Sequence, residues 1–282
     1  MTCEFEQALF TSTTGGAREG YHLVSASTGL SSSLRDRLTS WGPTHNAMAF
    51  TRHDASAISW FTLPGEKNAS WRVLAITYCE SAEYSGRGGG CTTTRFVLAP
   101  DTTWSAFHWD PFRVVDTLTI RPEWFAAPKN GTSEKATISV LSTRTQWCRG
   151  DVAAESSHVL GAGLTASIAG ALAAGEQISV TANDHAETIV RSIVNLLPPA
   201  ARKRLSFTTG LRPTQQRPLQ LHVLPEEAAS KSMSASRANE RSFVIPSPSA
   251  PAPTSGWGRE LYSLLVASRW SAAANLVGAR VE

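Results

Sequence analysis

Two short runs place an imidazole beside a carboxylate, His53-Asp54 and His108-Trp109-Asp110. Imidazole titrates near neutrality and a carboxylate can orient it, so a pocket gathering these four residues would suit a hydrolase or nuclease. Each run also suits a turn. His53-Asp54-Ala55 lies between two β-rich stretches, and Asp110 precedes Pro111, a pairing that favours turn formation. The turn reading is the simpler of the two for both runs.

A third group is cationic. Arg202-Lys203-Arg204, with Arg212 eight residues further on, could grip phosphates or an acidic partner. The same trio reads equally as a solvated turn after a helix, and we favour that. The glycine-rich stretch Gly86-Arg87-Gly-Gly-Gly90 could cradle an anion with its backbone amides, between Cys79 and Cys91.

Other chemistry has no matching pattern. The sequence contains no GxxxxGK[ST] phosphate loop, no GxSxG elbow and no HExxH pair, and its seven histidines never fall at metal-ligand spacing. Gly161-Ala-Gly163 imitates a dinucleotide loop but lies inside a helical pattern, where close packing explains it better. No cofactor and no metal is expected.

Composition bounds the rest. In 282 residues, 41% hydrophobic and 17% charged, there is material for about two globular domains. The net charge is +3, but residues 201–282 carry 11 basic and 5 acidic groups. That density is well below what a dedicated DNA-binding arm uses, so nucleic-acid binding is the weaker alternative. Four scattered cysteines do not form a disulfide framework, and the N-terminus shows no basic-then-apolar leader, so the cytoplasm is the default location. Residues Val152 to Gly175 are mostly Ala, Gly, Ser and Thr and include Glu155 and His158, so no membrane span is expected.

These residues have to be positioned by elements of two kinds. Up to about residue 120 the signals are mostly strands: Phe5–Ser12, Tyr21–Ser27, a hairpin of Ala47–Arg52 with Ile58–Leu63, Trp71–Cys79 and Thr92–Leu98. A helix from Ser31 or Ser32 to Trp41 has Leu34, Leu38 and Trp41 on one face and stops at Gly42-Pro43. Leu160, Leu164, Ile168 and Leu172 then predict a helix packed through small side chains. A βαββ pattern follows: strand Ile178–Thr181, helix 185–197 capped by Asp184 with Glu187 at capping-box spacing, and strands Leu205–Thr209 and Leu219–Leu224.

The resulting expectation is an α+β protein. It has a β-rich N-terminal domain (1–148), a smaller βαββ-type domain (149–225), a Pro/Ala/Ser linker (226–256) and a short C-terminal amphipathic helix (257–282) with Leu261, Leu265 and Trp270 on one side.

Two stretches carry a resemblance. Phe5-Glu-Gln7-Ala-Leu-Phe-Thr-Ser12, Glu19-Gly20-Tyr21-His-Leu-Val-Ser-Ala-Ser27 and the run from Arg95-Phe-Val-Leu to Asp110-Pro-Phe112 resemble the type-2 N-terminal domain of bacterial GTPase-associated protein 1. Leu196-Leu-Pro198, Arg204-Leu-Ser-Phe-Thr-Thr-Gly-Leu211 and Leu219–Leu224 are similar to that family's middle domain. The resemblance implies a non-catalytic adaptor of a bacterial conflict or antiphage-defence system, working beside a co-encoded GTPase or MoxR-type ATPase through protein contacts. It brings no catalytic residues with it, and it implies a longer region after the middle domain than the linker and helix seen here. Partner contacts are then expected from Arg202, Lys203, Arg204, Arg212, Leu261, Leu265 and Trp270.

Overall fold

A computed structural model describes residues 1–13, 19–50, 56–65, 69–82, 90–120, 137–142, 150–182, 184–233, 240–245 and 252–278. The fold is mixed α+β, with a β-rich N-terminal region followed by interleaved helices and strands. It divides into two compact units. One comprises Met1–Phe107, Pro111–Thr143 and Gly210–Pro218; the other comprises His108–Asp110, Arg144–Thr209 and Leu219–Glu282.

In the first unit, β1 (Thr2–Thr13), β2 (Gly20–Ala26), β3 (Ser56–Pro64), β4 (Ser70–Ala82) and β5 (Gly90–Pro100) form an antiparallel sheet in the order β3-β4-β5-β1-β2. The start of β1 also pairs with β6 (Ile138–Leu141). Among the described residues the expected hairpin of Ala47–Arg52 with Ile58–Leu63 is not found, and Thr51 and Arg52 lie outside them. Met48 makes an isolated bridge to Leu211, and β3 pairs along its whole length with β4. β3 reads as a nearly continuous apolar run, and β4 offers it a matching run, Val73-Leu74-Ala75-Ile76, whereas Ala47–Phe50 is too short to do so.

Helix α1 (Ser32–Trp41) forms with the cap and the apolar face its sequence predicts. The Ser31 hydroxyl accepts from the Leu34 amide, and Leu34, Leu38 and Trp41 are buried. Two further helices, α2 (Asp101–Ser105) and α3 (Pro111–Thr119), follow β5. The core gathers Phe5, Trp60, Trp104 and Phe107. Trp104 meets Phe5 and Trp60 edge-on at centroid distances of 4.8 and 4.5 Å, and its indole N–H donates to the Arg72 carbonyl at 3.2 Å. Arg72 is itself buried. It is held by Asp101 at 3.2 Å and lies 5.6 Å from the Trp60 ring centroid.

The β1–β6 pairing sets one titration. The Glu4 carboxylate accepts hydrogen bonds from the Thr137 hydroxyl (2.8 Å) and the Ser139 hydroxyl, and these hold its pKa below the ordinary carboxylate value. A lowered carboxylate pKa adds stability that is present above the unfolded value and is lost as the pH falls through the folded one. Ser139→Ala is expected to return the Glu4 midpoint upward, as read from the side-chain carbonyl shift by NMR. An unmoved midpoint would show that the hydroxyl is not the cause.

In the second unit, β7 (Gln177–Thr181), β8 (Phe207–Thr208), β9 (Leu221–Leu224) and β10 (Glu240–Val244) are parallel in the order β10-β7-β9-β8. The βαββ expectation therefore becomes a parallel arrangement. Parallel neighbours require crossovers, here supplied by α6 (Ala186–Asn195), α7 (Pro199–Arg204) and α8 (Glu226–Met233). Residues 226–256, expected as a linker, contain α8 and β10. The alternation of Phe243 and Ile245 is too short to stand out among Ser, Ala and Pro.

The single helix predicted through Leu160–Leu172 is two. α4 (Gly150–Leu160) and α5 (Ala162–Ala173) meet at 103°, with Gly161 between them at φ 77°. No single helix among the described residues is long and apolar enough to cross a membrane. The cap position of α6 falls one residue past the expected Asp184. His185 takes the cap position at φ 61° without a side-chain cap bond, and Glu187 pairs with Arg191 one turn on, at 2.9 Å. Helix α9 (Gly256–Val266) packs on α5, and α10 (Trp270–Gly278) packs on α4.

Candidate functional site

The second unit joins two groups that are nearly a hundred residues apart in sequence. His108 and Trp109 both adopt left-handed backbone, at φ 55° and 54°. Consecutive non-glycine residues in that region cost on the order of 1–3 kcal/mol each, so surrounding contacts must hold them. Arg202 supplies one: its Nη1 donates to the His108 carbonyl at 3.2 Å. Lys203 supplies another, with Nζ 5.7 Å from the centroid of the Trp109 ring. Asp110, the third residue of the turn, is 6% exposed.

This overturns the reading of 202–204 as a solvated turn. Pro198-Pro199 starts α7, and the three cations fill its last turn, where the helix dipole favours positive charge. Arg202 is 0% exposed, so it is an internal anchor. Lys203 and Arg204 lie outside, and Arg204 reaches the Ala173 carbonyl at the end of α5, at 3.3 Å. Sequence could not separate the three, because nothing local marks which cation turns inward.

The remaining predicted residues are dispersed. Arg212 belongs to the first unit, where its backbone amide donates to the Ala47 carbonyl at 2.8 Å and its Nε to the Met48 carbonyl at 3.2 Å. Leu261 and Leu265 are buried, at 0% and 2% exposure, on the packed side of α9. Trp270 is half-buried and meets His158 edge-on at 5.9 Å. His53, Asp54 and the glycine-rich residues 86–89 lie outside the described residues. Among the described residues no three of His, Cys, Asp and Glu are grouped to hold a metal ion.

Another buried cation, like Arg72, escaped the sequence reading. Arg217 is 6% exposed, lies 5.9 Å from the Trp41 ring centroid and has its Nη1 3.5 Å from the Trp41 carbonyl. Burial pushes its pKa below the ordinary guanidinium value. Gln216-Arg217-Pro218 reads as a surface turn, and only the tertiary placement of that turn on Trp41 shows otherwise.

The second unit also carries a groove of about 1110 Å³. Its walls come from α5, α7, β10 and the chain leading into α9, and they include Arg204, Arg241, Phe243 and Trp257. Neither His108 nor Asp110 lines it. Of these wall residues the sequence reading had singled out only Arg204, because Arg241 and Phe243 sit in the stretch read as a linker.

Taken as a class, this is an α+β protein with an antiparallel N-terminal unit and a parallel-sheet second unit. Residues 4–135 match the family model of GTPase-associated protein 1, N-terminal domain type 2, which ties that part of the chain to GTPase-associated proteins. The match ends before the second unit's helices, and no curated protein matches the chain.

Proposed function

We propose that the chain is a non-catalytic adaptor in a bacterial conflict or antiphage-defence system, acting in the cytoplasm on a co-encoded GTPase or MoxR-type ATPase. The observation that carries this reading is the match of residues 4–135 to a domain of GTPase-associated proteins. The second unit takes the place of the family's middle domain. The adaptor's work is assembly: two folded units present surfaces, and the partner supplies nucleotide chemistry. Lys203 and Arg204 remain available as partner contacts, whereas Arg202, Leu261 and Leu265 support those surfaces from inside.

The test is co-expression with the NTPase encoded beside it, followed by size-exclusion chromatography. We expect co-elution in a complex that persists without added nucleic acid. Failure of every neighbouring gene product to co-elute would count against the adaptor. Turnover of a nucleic acid or ester by the isolated chain, abolished by His108→Ala or Asp110→Asn, would replace it with the hydrolase reading.

A further inference from the structure

We propose that the groove of the second unit binds an extended, acidic segment of another protein, which adds as a strand to the free edge of β10. The adaptor reading is needed only to supply a protein as occupant. Among the described residues β10 ends the strand order, pairing with β7 on one side alone. The Ile245 amide donates to the Thr181 carbonyl at the end of β7. Backbone groups alternate sides residue by residue along a strand, so Arg241 and Phe243 turn their amides toward β7, and Ser242 and Val244 turn theirs outward. Arg241, Ser242, Phe243 and Val244 all line the groove, which therefore runs along an edge carrying unused donors and acceptors.

Charge selects the occupant. Arg204 and Arg241 both line the groove, and the carboxylate that Arg241 meets, Glu176 at 3.4 Å, belongs to a solvent-exposed pair worth little. Among the described residues Arg204 directs its guanidinium to a carbonyl alone. Two cations outnumber the one carboxylate in the lining, Glu176, and stand with Phe243 and Val244, a combination that suits a strand with carboxylates on one face and apolar side chains on the other. A second copy of this chain is disfavoured as the occupant, because Arg241–Val244 of its own edge strand carries a cation and no carboxylate.

The probe is a fluorescein-labelled octapeptide alternating Glu with Val and Thr, titrated against the full chain by anisotropy. We expect saturable binding, weakened about tenfold by Arg204→Glu and by a matching Lys-for-Glu peptide. Val244→Pro removes one outward N–H, which an edge strand tolerates, and is expected to weaken binding by a similar factor while leaving the β7 pairing intact. If that variant does not fold, a peptide N-methylated at alternate residues tests the same bonds from the other side.

No saturation at millimolar peptide, equal affinity for the lysine peptide, or equal affinity of the N-methylated peptide would each overturn the proposal. Co-elution of the NTPase is measured separately. Peptide binding without co-elution keeps the groove and loses the adaptor, and co-elution without peptide binding does the reverse.

Discussion

Replacing Arg202 with Ala is expected to destabilise the second unit by about 3–5 kcal/mol, a loss in the range of removing one member of a buried charged contact. Arg202 is among the largest fully buried side chains in the protein. Truncation opens a cavity and deprives the His108 carbonyl of its donor, at a turn that holds two left-handed residues in succession. The measurement is urea unfolding followed by circular dichroism, together with proteolysis next to Trp109, which should accelerate as the turn loosens. Arg202→Lys is expected to recover only part of the loss, since an ammonium lacks the planar fork. A change under 1 kcal/mol in the alanine variant would mean that the turn is held by other contacts.

Gly258→Leu is expected to undock α9 from α5. A Cβ at Gly258 would lie 3.1 Å from the Gly170 Cα and 3.3 Å from the Ala166 carbonyl oxygen, and the opposite substitution at Gly170 would meet the Gly258 Cα at 3.0 Å. These are backbone atoms on packed helices, so neither side can yield by turning a rotamer, and Leu261 and Leu265 lose their burial as the helices separate. The expected cost is about 3 kcal/mol or more, seen as faster amide exchange confined to α5, α9 and α10. Gly278→Leu is the control. Nothing stands within 4 Å of a Cβ there, and the change should fall within about 0.5 kcal/mol.

Much of the fold was legible in the sequence because local chemistry and tertiary demand agree. α1 announces itself by a serine cap and an apolar face at offsets of four and three, and both are used. Two failures share one cause. The α4–α5 stretch keeps its four-residue hydrophobic spacing across Gly161, so periodicity cannot reveal the 103° corner that a left-handed glycine makes there. At α6 the cap falls on His185, one residue later than the spacing of Asp184 and Glu187 predicts. In both places a residue at positive φ, Gly161 or His185, sets a boundary that local spacing does not show.

Site residues were harder to read for a different reason. Arg202 and Arg217 look like solvated cations, and their burial depends on partners 94 and 176 positions distant in the chain. Edge strand β10 was hidden in a stretch of Ala, Ser and Pro, where five residues give too little alternation to register.

The two compact units trade short pieces of chain: Gly210–Pro218 serves the first although it is encoded in the middle of the second, and His108–Asp110 serves the second although it is encoded within the first. During synthesis, then, the N-terminal half waits on the ribosome for residue 218 before Arg217 can settle on Trp41, so neither half matures in order of translation. A plasmid ending at residue 148 yields an incomplete object, and circular permutants or split fragments have to be cut elsewhere if both halves are to be recovered as folded bodies.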